Sequence, residues 1–243
     1  MIRPADFRFH SYQAATFYTS LQFATGKLLG PLLADVGDKL DGDPVTIPVP
    51  ENAPPEVPRI ILSSKDGTLR LEISLARVDI RWARRAQGSE MPLSDFNDFA
   101  YNTLRHLQRY LNAPSGRLGL AATRFQPSEN PGRVLAEHFC RPELLSTTPD
   151  TKGPLNRPEN FEIHAHKRFV LGRFRVNSWV RAKSGRLESD SVKQPIILVE
   201  QDLNTLAEEA EASEFLADDF REFLGLSATE MDTILRLYFQ DRA

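Results

Sequence analysis

Two imidazoles stand one residue apart in His164-Ala165-His166. On a strand both point to one face, where they could share a metal with a third ligand drawn from Asp202, His138 or Glu162. The same region is basic. From Phe161 to Arg186 the chain carries Lys167, Arg168, Arg173, Arg175, Arg181, Lys183 and Arg186 against a lone Glu162. Phe161, Phe169, Phe174 and Trp179 are interleaved with these cations. Charges for phosphates and rings for bases are what single-stranded nucleic-acid grooves use. Strand parity offers a plainer outcome, with aromatics turned inward as core and cations alternating outward. Such a face would meet an acidic protein or the chain's own C-terminal part.

That C-terminal part has the opposite sign. Glu208, Glu209, Glu211, Glu214, Asp218 and Asp219 follow one another closely, with Glu200 and Asp202 upstream. They form either a solvated helix approach or an acidic face for a basic partner, where charge would set on-rate and specificity. The two patches could also pair between copies, or neutralise each other within one chain.

Other chemistries lack their signatures. There is no Gly-x-Ser-x-Gly elbow, and Cys140 is the single cysteine. Its neighbour His138 is two residues away and would not face it on a helix. One thiol excludes an internal disulfide, and it excludes zinc sites built on four cysteines or on two cysteines with two histidines. Gly26-Lys27 is followed by Leu28 instead of Ser or Thr, so it is no phosphate loop. No dinucleotide fingerprint or other cofactor motif is present, and the reading leans to a protein that is not an enzyme. Carboxylates are abundant, but one sequence does not show which are close enough to act as a hydrolytic pair.

These residues must be held by the elements around them. The stretch from Pro58 to Phe125 is the most regular. Ile60 to Leu62, then Lys65-Asp66-Gly67, then Leu69, Leu71, Ile73 and Leu75 read as a hairpin with one buried face. At Ala76-Arg77 the parity slips to Val78, Ile80 and Trp82, which calls for a tight turn or bulge. Phe96, Phe99, Ala100, Thr103, Leu104, Leu107, Tyr110 and Leu111 recur at helical spacing, with Ser94 as the expected N-cap. Leu118 and Leu120 then return the chain to the sheet.

Elsewhere, Phe17, Thr19, Leu21 and Phe23 alternate as an N-terminal strand, and Gly30-Pro31 opens a short helix through Leu40. Pro44, Pro48, Pro50, Pro54, Pro55 and Pro58 make residues 44–58 an extended connector, with a proline-motif ligand as the minor alternative. A short helix carries Val134, Leu135, Phe139 and Cys140 until Pro142, and Ser146 to Asn160 is loop by composition. A second sheet region runs from Phe161 past Val180, with a turn at Lys183-Ser184-Gly185. Ile196 to Val199 reads as a central strand. Phe215, Leu216, Phe220, Phe223 and Leu224 share a helix face that Gly225 stops, and Ser227 to Glu230 cap a last helix.

The expected class is α+β: antiparallel β-meanders packed against several amphipathic helices, 1–243 as one domain, with similarly organised halves 1–127 and 128–243. At 243 residues with 41% hydrophobic content, the chain can bury a sizeable core. A net charge of −3 makes no general polyanion binder. No run approaches the roughly 20 apolar residues of a membrane span, and the start shows no apolar signal region. Cytoplasm is the expected compartment.

Leu21-Gln22-Phe23, Leu69 to Trp82, Arg117-Leu118-Gly119-Leu120 and Val199-Glu200-Gln201-Asp202-Leu203 together resemble a sporadically distributed bacterial protein family of unknown function. The order of pieces spans most of the chain. It departs at Ala121-Ala122-Thr123, where an aromatic and an asparagine would be expected. The resemblance implies a bacterial, single-chain protein and brings no catalytic residues; the sporadic distribution implies mobile or defence-related operons. Taken together, the expected function is a non-enzymatic accessory protein that binds a protein partner. The alternative is a nucleic-acid-binding component using 161–186.

Overall fold

The computed structural model describes residues 2–19, 21–50, 52–85, 90–145, 156–189 and 192–240. In chain order, its main elements are β1 (Arg8–Phe17), α1 (Thr25–Val36), β2 (Val45–Thr46), β3 (Ile60–Ser63), β4 (Leu69–Ile73), β5 (Arg77–Ala83) and α2 (Leu93–Leu111). There follow β6 (Arg117–Pro127), α3 (Pro131–Phe139), α4 (Pro142–Leu145), β7 (Glu162–Leu171), β8 (Phe174–Ser189), β9 (Val192–Thr205) and α5 (Ala217–Tyr238). The strands form one nine-stranded sheet in the order β2-β3-β4-β5-β1-β6-β9-β8-β7. Every pairing is antiparallel. The α+β class expected from periodicity is therefore the class observed.

Strand parity decides which face the helices cover. Tyr12 and Ala14 of β1, Leu118 and Leu120 of β6, Leu203 of β9 and Val176 of β8 share a buried cluster with Leu32 of α1, Phe96, Leu104 and Leu107 of α2, and Phe220, Phe223 and Met231 of α5. Burying a large apolar side chain completely contributes about 1.5–3 kcal/mol, so this layer supplies most of the hydrophobic stabilisation. A smaller cluster joins Leu135 of α3 to Ala182, Ile197, Val199, Leu235 and Phe239. At the centre Tyr12 stacks on Trp82 with centroids 5.0 Å apart and leans on Phe96 at 5.1 Å. Its hydroxyl donates to the Met91 carbonyl at 2.9 Å, and burial raises its pKa above the usual phenol value.

The meander from β3 to β5 is as expected. The parity slip is a two-residue turn in which the Ser74 N–H donates to the Arg77 carbonyl at 2.9 Å. The proline-rich connector is docked at Pro55, whose carbonyl accepts from the N–H groups of Leu75 and Ala76 at 2.9 and 3.1 Å.

Five expectations need correction. The first strand lies at Arg8–Phe17. Of the alternating residues Phe17 ends β1, whereas Thr19, Leu21 and Phe23 lie outside any strand, with the Leu21 N–H donating to the Leu75 carbonyl at 3.1 Å. α1 starts at Thr25, so Pro31 sits inside it. Ser94 is not the N-cap of α2; Pro92 is, and the Ser94 hydroxyl turns to Asp95 at 3.1 Å. Lys183-Ser184-Gly185 is strand, because Gly185 pairs with Ile196. The turn lies earlier, at Gly172, whose φ of 59° suits glycine. Finally, Gly225 does not stop the last helix, since Ala217–Tyr238 is continuous and Ser227 is a buried interior position. Of the loop read at Ser146 to Asn160, residues 146–155 lie outside the described residues.

Candidate interaction face on the open side of the sheet

With the main helices packed on one side, the other side of the sheet is a face of alternating side chains. Register places them in rows. Cross-strand pairing puts Arg70, Arg81, Gln13, Ala121, Asp202, Trp179 and His166 side by side across seven strands. The next row runs Glu72, Asp79, Ala15, Gly119, Asn204, Asn177 and Arg168.

The basic stretch contributes to this face, and most of its charge is answered. Arg168 meets Glu208 at 2.8 Å, and Arg175 meets Glu209. Arg181 meets Glu200 at 3.0 Å and Glu162 at 3.4 Å, and Lys183 meets Glu200 at 2.7 Å. At the tip of the β7–β8 hairpin Arg173 binds Asp219 and, at 2.9 Å, Glu222; the Asp219 bond raises its already high pKa. Lys167 has the other parity and lies 5.0 Å from the Phe169 ring centroid. Most of the acidic residues are engaged by these and neighbouring groups. Asp219 also accepts from the Leu216 N–H at 2.7 Å, Asp218 accepts from the Tyr101 hydroxyl at 3.1 Å, and Glu211 is exposed. Of the outcomes open to the two patches, the chain adopts internal neutralisation.

The far half of the face obeys the same rule. Arg70 and Arg81 reach Glu72 at 2.7 and 3.8 Å, and Arg77 reaches Asp79 at 2.5 Å. Phe17 is flanked by the guanidiniums of Arg77 and Arg117, 4.8 and 4.9 Å from its centroid. Arg117 donates to the Thr205 carbonyl at 3.0 Å, and burial lowers its pKa.

Trp179 stands out. It is 48% exposed, while the other tryptophan, Trp82, is buried. His166 stacks on one side of its ring at 4.1 Å and 16°. A trough of about 490 Å³ lies beside it, lined by Ala121, Thr123, His164, Trp179, Arg181, Glu200 and Asp202 among others. The two histidines do share a face, but with different partners. His164 lies 2.6 Å from Glu162, whose carboxyl it holds below the usual range, and His166 is 3.2 Å from Asn177. Among the described residues no group of three His, Cys, Asp or Glu is arranged to hold a metal.

Sequence reading singled out Trp179 but missed Asp202 as its neighbour, because the pairing of β8 with β9 has to be known first. It also missed a second concavity of about 770 Å³ between α2 and α5, lined by Phe9, Leu93, Asn97, Asp98, Arg221, Leu224, Gly225 and Asp232 among others. Among the described residues no helix is long and apolar enough to cross a membrane. The chain matches no protein-family model, and no curated protein shows significant similarity to it.

Proposed function

We propose that this chain is a non-enzymatic interaction protein that docks a protein partner on the open face of its sheet. The observation that carries the reading is Trp179, a large exposed aromatic set among ion pairs that are already closed. Buried interface anchors are enriched in Trp, Tyr and Arg, and near-neutral contacts around them exclude water. Here Trp179 would be the anchor, and the pairs Arg181–Glu200 and Arg81–Glu72 the surround. A mixed-charge face of this kind suits a protein surface better than a polyanion. Phosphates would have to displace carboxylates from Arg168, Arg175 and Arg181 before counterion release could drive binding. The sporadic distribution implied by the family resemblance, with mobile or defence operons as its setting, is compatible with a binding component and adds no chemistry.

The test is position-resolved photocrosslinking in the source cells. A photoreactive residue replaces Arg81, Lys183 or, on the helical side, Arg236. The reading expects one protein crosslinked from Arg81 and Lys183, no product from Arg236, and loss of crosslinking in Trp179→Ala. Crosslinks from the helical side alone, or crosslinked nucleic acid in place of protein, would overturn it.

A further inference from the structure

We propose that the corner between Trp179 and Asp202 receives a cationic side chain, a guanidinium or an ammonium, presented by the docked protein. The inference rests on the docking reading above and supplies the chemistry of its anchor.

Three observations converge. First, Asp202 is the odd carboxylate of the open face. Glu72, Asp79, Glu162 and Glu200 each have an arginine within ion-pair distance. Among the described residues Asp202 has none; its Oδ1 accepts from the Asn204 amide at 3.0 Å, and it remains exposed. Asn204 in turn accepts from Arg117 on β6, whose guanidinium attracts the Asp202 carboxylate electrostatically but forms no direct ion pair with it. Where the neighbouring carboxylates of this face touch an arginine directly, Asp202 keeps room for a direct ion pair with whatever covers it.

Second, Trp179 is paired directly across from Asp202. His166 comes from β7 and covers one side of the indole. Because β8 lies between β7 and β9, the uncovered side of the ring looks toward β9, where Asp202 stands. An indole face carries negative quadrupole density, so a cation placed there meets attraction from the ring and the carboxylate together. The combination repels an anion and gives a neutral group little beyond contact.

Third, the room is there. Ala121 lies opposite Asp202 on β6, and Thr123, one step along the same strand face, lies opposite Glu200. The trough is therefore floored by small side chains and can admit a flexible stem. Glu200, which also lines it, is already held by Arg181 and Lys183, so the added cation would answer Asp202.

The experiment uses Trp179 as its own reporter. The chain has two tryptophans, so Trp82→Phe leaves Trp179 alone. Where that substitution perturbs folding, 5-fluorotryptophan in the wild-type chain resolves the two residues by 19F NMR. N-acetylargininamide is titrated against its neutral isostere N-acetylcitrullinamide. The expected result is a saturable change at Trp179 with the arginine compound, binding at least about tenfold weaker for the citrulline compound, and a similar loss in Asp202→Asn. Equal responses to the two compounds, no saturable response to either, or an unchanged response in Asp202→Asn would overturn the proposal. So would a Trp179 response to a single-stranded oligonucleotide that exceeds the response to the arginine compound.

Failure here is separable from failure of the docking reading. If the crosslinked partner binds Asp202→Asn as tightly as wild type yet fails to bind Trp179→Ala, the interface stands and the cationic anchor falls. If the partner ignores Trp179→Ala as well, both fall.

Discussion

Arg124 on β6 and Asp232 on α5 meet at 2.5 Å, and their exposures are unequal: the arginine side chain is 2% accessible and the aspartate 53%. The guanidinium also lies 4.3 Å from the Phe9 ring centroid, and burial pulls its pKa down. A charge so placed on the helix-covered side of the sheet relies on Asp232 for compensation. Removing the carboxylate leaves that charge stranded, whereas removing the guanidinium leaves an aspartate that water can solvate. Asp232→Ala should therefore cost about 1–3 kcal/mol, discounted from a fully buried pair for the exposure of Asp232. Arg124→Met, which keeps the packing, should cost less. Urea unfolding of the two variants decides it, and the reverse order would refute the argument.

His10 gives the chain an acid-sensitive spot. It is the residue at which the β1–β6 register shifts, it packs edge-on against Phe125 at 6.1 Å, and its pKa is lowered from 6.5 by burial first and then by Arg84. Arg84 is itself 3.1 Å from Glu90. A depressed folded-state value means that the unfolded chain takes up the proton first as pH falls below 6.5. Stability should accordingly decline as pH drops from 7 through that window, and His10→Gln should flatten the decline. Unfolding midpoints at several pH values above the carboxylate range would show it; parallel profiles for the two chains would exclude His10 as the cause.

Two glycines should respond with opposite sign. Gly225 lies inside α5, has no positive φ, and a Cβ built there meets nothing within 4 Å. Alanine restores helix propensity without a clash, so Gly225→Ala should stabilise by about 0.5–1 kcal/mol. Gly172 has a φ of 59° and its Cβ would come 2.6 Å from a Leu226 methyl. Gly172→Ala should destabilise by about 1 kcal/mol or more. Thermal unfolding of both variants checks the pair, and a common direction would contradict it.

The same glycines show where sequence was readable. Alternation and helical spacing located β3 to β6 and α2 because each buries one face in its own span, as Leu71, Ile80 and Leu107 do. Gly225 misled because a glycine at the end of an apolar stretch looks the same whether or not the helix continues. Gly172 passed unnoticed because the apolar residues on either side, Leu171 and Phe174, read as one run. Asp202 had no local signature at all. Its meaning comes from Trp179 across the β8–β9 ladder, a relationship set by sheet order.

The opposed charge patches give the last test. Glu208 and Glu209 follow β9 and fold back on Arg168 and Arg175 of the neighbouring strands. If that closure is why the basic stretch is not a phosphate-binding groove, opening it should create one. Glu208→Gln combined with Glu209→Gln leaves the arginines in place and should raise affinity for single-stranded DNA about tenfold at low salt. The gain should fade as salt rises, because each phosphate–arginine contact releases counterions. Glu208 is exposed and Glu209 only partly buried at the surface, so the substitutions should leave the fold intact, which circular dichroism would verify. A wild-type chain that already binds with steep salt dependence, and loses it in Arg173→Ala, Arg175→Ala, Arg181→Ala combined, would show that the carboxylates do not hold the cations closed. The nucleic-acid reading of 161–186 would then displace the protein-docking one.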